Sequence, residues 1–281
     1  MGLIIVAIIF GIIEGITEWL PVSSTGHLIL FEEILPQYVS KDVWDMFLVI
    51  IQLGAILASV ILFWNKIWPF QKPDKAEGKG IIKKDSFILW IKVAIATVPG
   101  VAFVLLGLDE ICDKYFYNST GVAIALIVFG IFFILIERLN KKRSPKFNEL
   151  SDITYTIALY IGLFQLLAAA FPGTSRSGAT ILGALLLGVS RVAASEFTFI
   201  LAIPAMLGAS VLKIFDFMEK GIALQNNDII FLVVGTISAF IVSVLAIKFL
   251  MGYIKKHNFE VFGYYRIVIG IIVILFFALS K

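Results

Sequence analysis

The sequence predicts an all-α polytopic membrane protein, with six transmembrane helices and two re-entrant helix–loop–helix segments arranged as an inverted-topology repeat. Three observations predict it. The chain is 60% hydrophobic and 15% charged, with a mean hydropathy of +0.99 and 25 Phe among 281 residues; soluble domains are about half apolar and a quarter charged. Several apolar stretches reach the roughly 20 residues that a hydrocarbon core requires. One apolar frame also occurs twice: Gly162, Pro172 and Ser175 each lie 151 residues after Gly11, Pro21 and Ser24. The copies differ in their polar residues, which suggests one composite site built from both halves.

Taken in order, segment 3–35 is apolar but broken by Pro, Gly and hydroxyl residues, and spans follow at roughly 43–64, 87–107 and 118–138. Segment 154–190 is broken in the same way, and spans follow at roughly 196–215, 228–250 and 263–280. Interrupted backbone at membrane depth is tolerated only where protein or a wet cavity surrounds it. Residues 1–281 therefore form a single membrane domain, with 1–138 the first repeat, 154–281 the second and the basic loop 138–153 the hinge.

Loop charges fit this count. Segment 65–86 carries Lys66, Lys72, Lys75, Lys79, Lys83 and Lys84, segment 138–150 carries Arg138, Lys141, Lys142, Arg143 and Lys146, and 251–262 carries Lys255 and Lys256. The intervening segments are acidic, with Asp109, Glu110 and Asp113, then Asp216, Glu219 and Asp228. With the basic loops cytoplasmic, both termini face outward. Three crossings per half is an odd number, so the second half is inverted and the two broken segments meet near the midplane. Asp45 and Glu196, also 151 apart, each open the helix that follows.

Other classes are excluded. The net charge of +3 is small and gathered in loops, which argues against nucleic-acid binding. Cys112 is the only cysteine, so no internal disulfide or cysteine metal cluster exists. The N-terminus lacks a basic region, and Glu14 and Glu18 interrupt its apolar run, which argues against a cleaved signal peptide.

The chemistry lies in the two breaks. Glu14 and Glu18 are spaced four apart and share a helix face; intramembrane acids are functional by default. They suit oxygen ligation of a divalent cation or general-base duty, against the plainer reading of two interfacial glutamates. Pro21-Val-Ser-Ser24-Thr25-Gly26-His27 follows. Ser23 and Thr25 read as helix caps, whereas Ser24, matched with Ser175 beside Arg176, and His27 are candidates for nucleophile or proton transfer. Pro172-Gly173-Thr174-Ser175-Arg176-Ser177-Gly178-Ala-Thr180 offers a guanidinium, hydroxyls and a helix N-terminus, which together suit an anion. The plainer alternative is a salt bridge from Arg176 to Glu14 or Glu18 that merely joins the halves. Arg191 and Glu196 read as a pair at a helix end. The assembled constellation suits hydrolysis of a phosphate on a lipid.

These residues resemble the bacterial undecaprenyl-diphosphatase, or bacitracin-resistance, family. The resemblance rests on Glu14 to His27, on Asp45 with Gln52-Leu-Gly-Ala, on Pro172 to Thr180, and on Ser190-Arg191-Val-Ala-Ala-Ser-Glu196-Phe, and it covers essentially the whole chain. It implies removal of the terminal phosphate of undecaprenyl diphosphate with a divalent cation (Mg or Ca), held by Glu14 and Glu18, at a site opening to the outer face of the cytoplasmic membrane. By similarity, Glu14, Glu18, Ser24, His27 and Arg176 are catalytic, and Ser175, Ser177, Thr180 and Gly173 bind phosphate. Expected partners are a polyprenyl diphosphate lipid, membrane lipids and a second copy in a homodimer, with no nucleic acid. The rival from another class is a transporter or flippase, because broken helices in inverted repeats are also transporter architecture.

Overall fold

A computed structural model describes residues 1–73, 80–141 and 143–279; Lys75, Lys79 and Lys142 of the basic loops lie outside the described residues. In chain order the first helices are α1 (Gly2–Thr17), α2 (Ser24–Ile34), α3 (Lys41–Leu62), α4 (Trp64–Ile67), α5 (Lys84–Leu105) and α6 (Leu108–Phe116). They are followed by α7 (Ser119–Asn140), a single 3-10 turn at Leu150–Asp152, α8 (Tyr155–Ala170), α9 (Arg176–Leu186), α10 (Arg191–Glu219), α11 (Asn226–Tyr253) and α12 (Glu260–Leu279).

Six helices, α3, α5, α7, α10, α11 and α12, are long and apolar enough to cross a membrane. The 16 residues of α1 and of α8 extend about 24 Å, short of a roughly 30 Å hydrocarbon core. Each stops at a proline turn and is followed by an 11-residue helix, α2 or α9.

The boundaries follow from local chemistry. Ser40, Asn118, Thr154 and Ser190 each cap the helix they precede by accepting from the N–H three residues on. Small residues let the long helices close on one another. A Cβ on Gly11 would meet Gly235 O of α11 at 2.5 Å, and one on Gly162 would meet Ala96 O of α5 at 2.2 Å. Between α7 and α12, Gly130 and Gly263 face each other so closely that a Cβ on either would reach the other's carbonyl oxygen at 2.7 Å. The largest buried cluster among the described residues includes Trp19, Phe133, Phe197, Phe199 and Phe259.

Three sequence expectations are corrected. The acidic segment after α5 is largely helical, because Gly107 at φ 67° turns the chain into α6. Arg191 does not pair with Glu196. Five residues apart, they fall on different faces of α10; Arg191 binds Glu137 of α7 instead, with contacts of 2.5–3.1 Å, and Glu196 takes Lys66 at 2.6 Å. The equivalence of Ser24 with Ser175 also fails by one residue. The caps are Ser23 (φ 74°) and Ser175 (φ 72°), accepting from Gly26 N–H and Gly178 N–H. Two residues separate Pro172 from its cap and one separates Pro21 from its own, so the counterpart of Ser24 is Arg176.

Candidate active site

The two caps show why both breaks are sharp. Serine at positive φ is an outlier that costs on the order of 1–3 kcal/mol and persists only where the surroundings enforce it. The repeated strain makes each of the two short helices start abruptly, so that Ser24 and Arg176 stand at their first positions.

Those two residues meet at one carboxylate. Arg176 Nη2 donates to Glu18 Oε1 at 2.6 Å, and Ser24 Oγ donates to Glu18 Oε2 at 3.1 Å. Glu18 caps the C-terminus of α1, its N–H donating to Glu14 O. Ser24 and Arg176 are partly exposed, while Glu14 is fully buried and Glu18 nearly so. Ser24, Thr25, Ser175 and Arg176 are therefore the partly exposed members of the cluster.

The hydroxyls expected to bind phosphate form two donor chains. Ser177 Oγ donates to Glu18 O at 3.0 Å, which leaves Ser175 Oγ to donate to Ser177 Oγ at 3.1 Å while accepting from Gly178 N–H. Likewise Thr198 Oγ1 donates to Thr180 Oγ1 at 3.0 Å, and Thr180 donates to Arg176 O at 2.9 Å. Each chain ends on the backbone of a residue in the ion pair, so these hydroxyls hold Glu18 and Arg176 in place. Gly173 (φ 95°) turns the chain where a Cβ would strike Val122.

His27 is held at both ring nitrogens. Nδ1 lies 2.7 Å from Ser23 O, which can only accept, so Nδ1 carries a proton. In the neutral ring Nε2 then accepts from Tyr265 Oη at 2.8 Å. Both oxygens of Glu14 are buried without a hydrogen-bond partner among the described residues. Together with Glu18 this makes a hard-oxygen donor pair suited to a divalent cation, although no group of three His, Cys, Asp or Glu that could hold a metal occurs among the described residues.

Four contributors were not read from the sequence. Thr198 O accepts from Arg176 Nη1 at 3.4 Å, Met206 Sδ lies 3.3 Å from Arg176 Nη2, Tyr265 holds His27, and Arg266 binds both proline turns. Arg266 carried a signal, as an arginine inside an apolar span. The other three are ordinary span residues and carried none.

The family model described as bacitracin resistance protein BacA matches residues 7–272. This chain belongs to the BacA family. The undecaprenyl-diphosphatase of Lachnoclostridium phytofermentans is 55% identical over 274 residues, covering 98% of this chain and 97% of the relative. That of Enterococcus faecalis is 54% identical over 276 residues, covering 98% of each. That of Desulfitobacterium hafniense is 52% identical over 273 residues, covering 97% of this chain and 95% of the relative.

Proposed function

We propose that this multi-pass membrane protein is a phosphatase that hydrolyses undecaprenyl diphosphate to undecaprenyl phosphate and phosphate. That activity recycles the carrier lipid for cell-wall synthesis and confers bacitracin resistance. The observation that carries the mechanism is the carboxylate of Glu18, held between a hydroxyl and a guanidinium, in a chain similar end to end to proteins named undecaprenyl-diphosphatase.

Ser24 Oγ attacks the terminal phosphorus and Glu18 Oε2, already its acceptor, takes the proton. The anhydride P–O bond breaks, the lipid monophosphate leaves, and water then hydrolyses the phosphoserine. Arg176 turns from Glu18 Oε1 to the phosphoryl oxygens, where charge develops. The free N–H groups at the start of α9 add to the anion site. His27 is the weaker nucleophile candidate, because Tyr265 occupies the lone pair it would attack with. Glu14 and Glu18 would hold the divalent cation, Mg or Ca, which supplies charge neutralisation at the diphosphate when bound.

An inverted repeat accounts for several pairings: matched strained caps, α1 packed on α11 while α8 packs on α5, and α7 facing α12 at the junction. In that arrangement α1–α2 and α8–α9 are re-entrant, repeats 1–138 and 154–281 build one domain with its basic loops cytoplasmic, and the site opens to the outer face of the cytoplasmic membrane as the family resemblance implies. Phosphate release from a polyprenyl diphosphate by detergent-solubilised protein tests the reading. Strict dependence on sealed vesicles would instead favour a flippase, since micelles have no second compartment.

A further inference from the structure

The most deeply buried cation in the described structure serves neither as ligand contact nor as half of an ion pair. Arg266, in the second turn of α12, is fully buried. Its Nη1 donates to Pro21 O at 3.2 Å and its Nη2 to Gly173 O at 2.9 Å. Among the described residues Nε has no hydrogen-bond partner and no carboxylate lies within ion-pair distance of the guanidinium. The nearest aromatic support is the Phe133 ring, with its centroid 6.0 Å away. A charge so placed is expensive to desolvate, and only a specific geometric task accounts for it.

The task is visible in the register. Pro21 stands three residues before Ser24, and Gly173 three residues before Arg176. One planar fork therefore grips equivalent carbonyls of the two proline turns, each one turn upstream of a residue that meets Glu18. A Cβ on Gly178 would come within 3.3 Å of Nη1, so the fork also lies against the first turn of α9. Only a rigid guanidinium reaches both carbonyls in fixed geometry; an ammonium is a point donor on a flexible stem. We infer that Arg266 is a positioning residue that ties the two proline turns together and sets the separation of Ser24 and Arg176 across Glu18. The inference rests on the phosphatase reading for its kinetic arm only.

The test uses purified full-length protein in detergent, with farnesyl diphosphate as substrate and the variants R266Q and R266K. A second readout comes from spin labels at Ile34→Cys and Leu186→Cys in a Cys112→Ser background, both being exposed helix-end positions, with the label separation read by double electron–electron resonance. R266Q is expected to lower kcat about 100-fold, the scale of a misplaced reacting group, with KM kept within about threefold, and to broaden the distance distribution between α2 and α9. R266K falls between R266Q and wild type in both. The inference is overturned if R266Q keeps kcat within about threefold of wild type, or if kcat falls while the distribution stays as narrow as wild type. It is equally overturned if KM rises with kcat intact, which would make Arg266 a phosphate contact. Should R266Q not elute as a single species, R266K decides by the same criteria, and failure of both to fold assigns Arg266 to stability alone. A wild-type protein that releases no phosphate would sink the phosphatase reading, while the distance arm still judges Arg266.

Discussion

Arg176 Nη2 and Glu18 Oε1 lie 2.6 Å apart, although 158 residues separate them in the chain. Their side chains retain 15% and 10% exposure, so the pair is neither a surface bridge nor sealed. A bridge that only joined two halves would have no use for Ser24 on the second oxygen. In the proposed mechanism the shared carboxylate is what matters, since departure of Arg176 to a phosphate would free Glu18 to act as a base.

Removing either partner separates the two roles. Glu18→Gln and Arg176→Ala should each lower phosphate release by about 100-fold or more, while circular dichroism and gel filtration remain those of a folded protein. Near-native turnover in both variants would remove Glu18 and Arg176 from the chemistry.

Ser24→Ala should abolish incorporation of labelled phosphate into quenched protein and lower kcat by at least about 100-fold. His27→Asn should keep the label on protein. A label that survives Ser24→Ala and disappears with His27→Asn would transfer the attack to histidine.

The buried pair Glu14 and Glu18 suits a hard cation, so a chelator should silence the enzyme and added Mg or Ca restore it. Glu14→Gln is expected to raise the cation concentration needed for half-maximal activity by about tenfold or more, because one of two anionic ligands becomes neutral. Unchanged cation dependence in that variant would place the ion elsewhere.

Close packing of the paired glycines gives a stability prediction. Gly162→Ala puts a methyl 2.2 Å from Ala96 O, and Gly11→Ala puts one 2.5 Å from Gly235 O. Each should lower stability by about 1–3 kcal/mol, seen as a lower melting temperature in detergent. Gly208→Ala, where a Cβ would meet nothing within 4 Å, should leave the melting temperature near that of wild type.

Glu137 is fully buried and accepts from Arg191 and from Phe259 N–H, joining α7, α10 and the start of α12. Glu137→Ala should destabilise the fold by up to about 3 kcal/mol, the low end for breaking a buried pair, because Arg191 is one-third exposed and can turn to water. Denaturation in mixed micelles measures it. A loss of phosphate release at unchanged stability would contradict a purely structural role.

Much of this was legible in the chain because lipid leaves the backbone few options. Six apolar segments of span length had to be helices, and the prolines at 21 and 172 had to end α1 and α8 close by. The acids, hydroxyls and Arg176 could be singled out because polar groups are rare in such segments. Register within the turns was not legible. The additional residue between Pro172 and Ser175 shifts the pairing, so that Ser24 corresponds to Arg176, and only the φ angles of Ser23 and Ser175 reveal it. The partners of Arg191 and Glu196 were likewise decided by neighbouring helices.

Composition and spacing by themselves determined the membrane setting, the spanning helices and the two polar turns, because those depend on transfer of side chains from water and on local backbone sterics. Tertiary structure alone decided which atoms face one another: Glu18 between Ser24 and Arg176, His27 on Tyr265, and Arg266 across both turns. These contacts join segments more than ninety residues apart, apart from the local link of Ser24 to Glu18. Their geometry is set by how closely glycine-lined helices pack, which no run of neighbouring residues encodes.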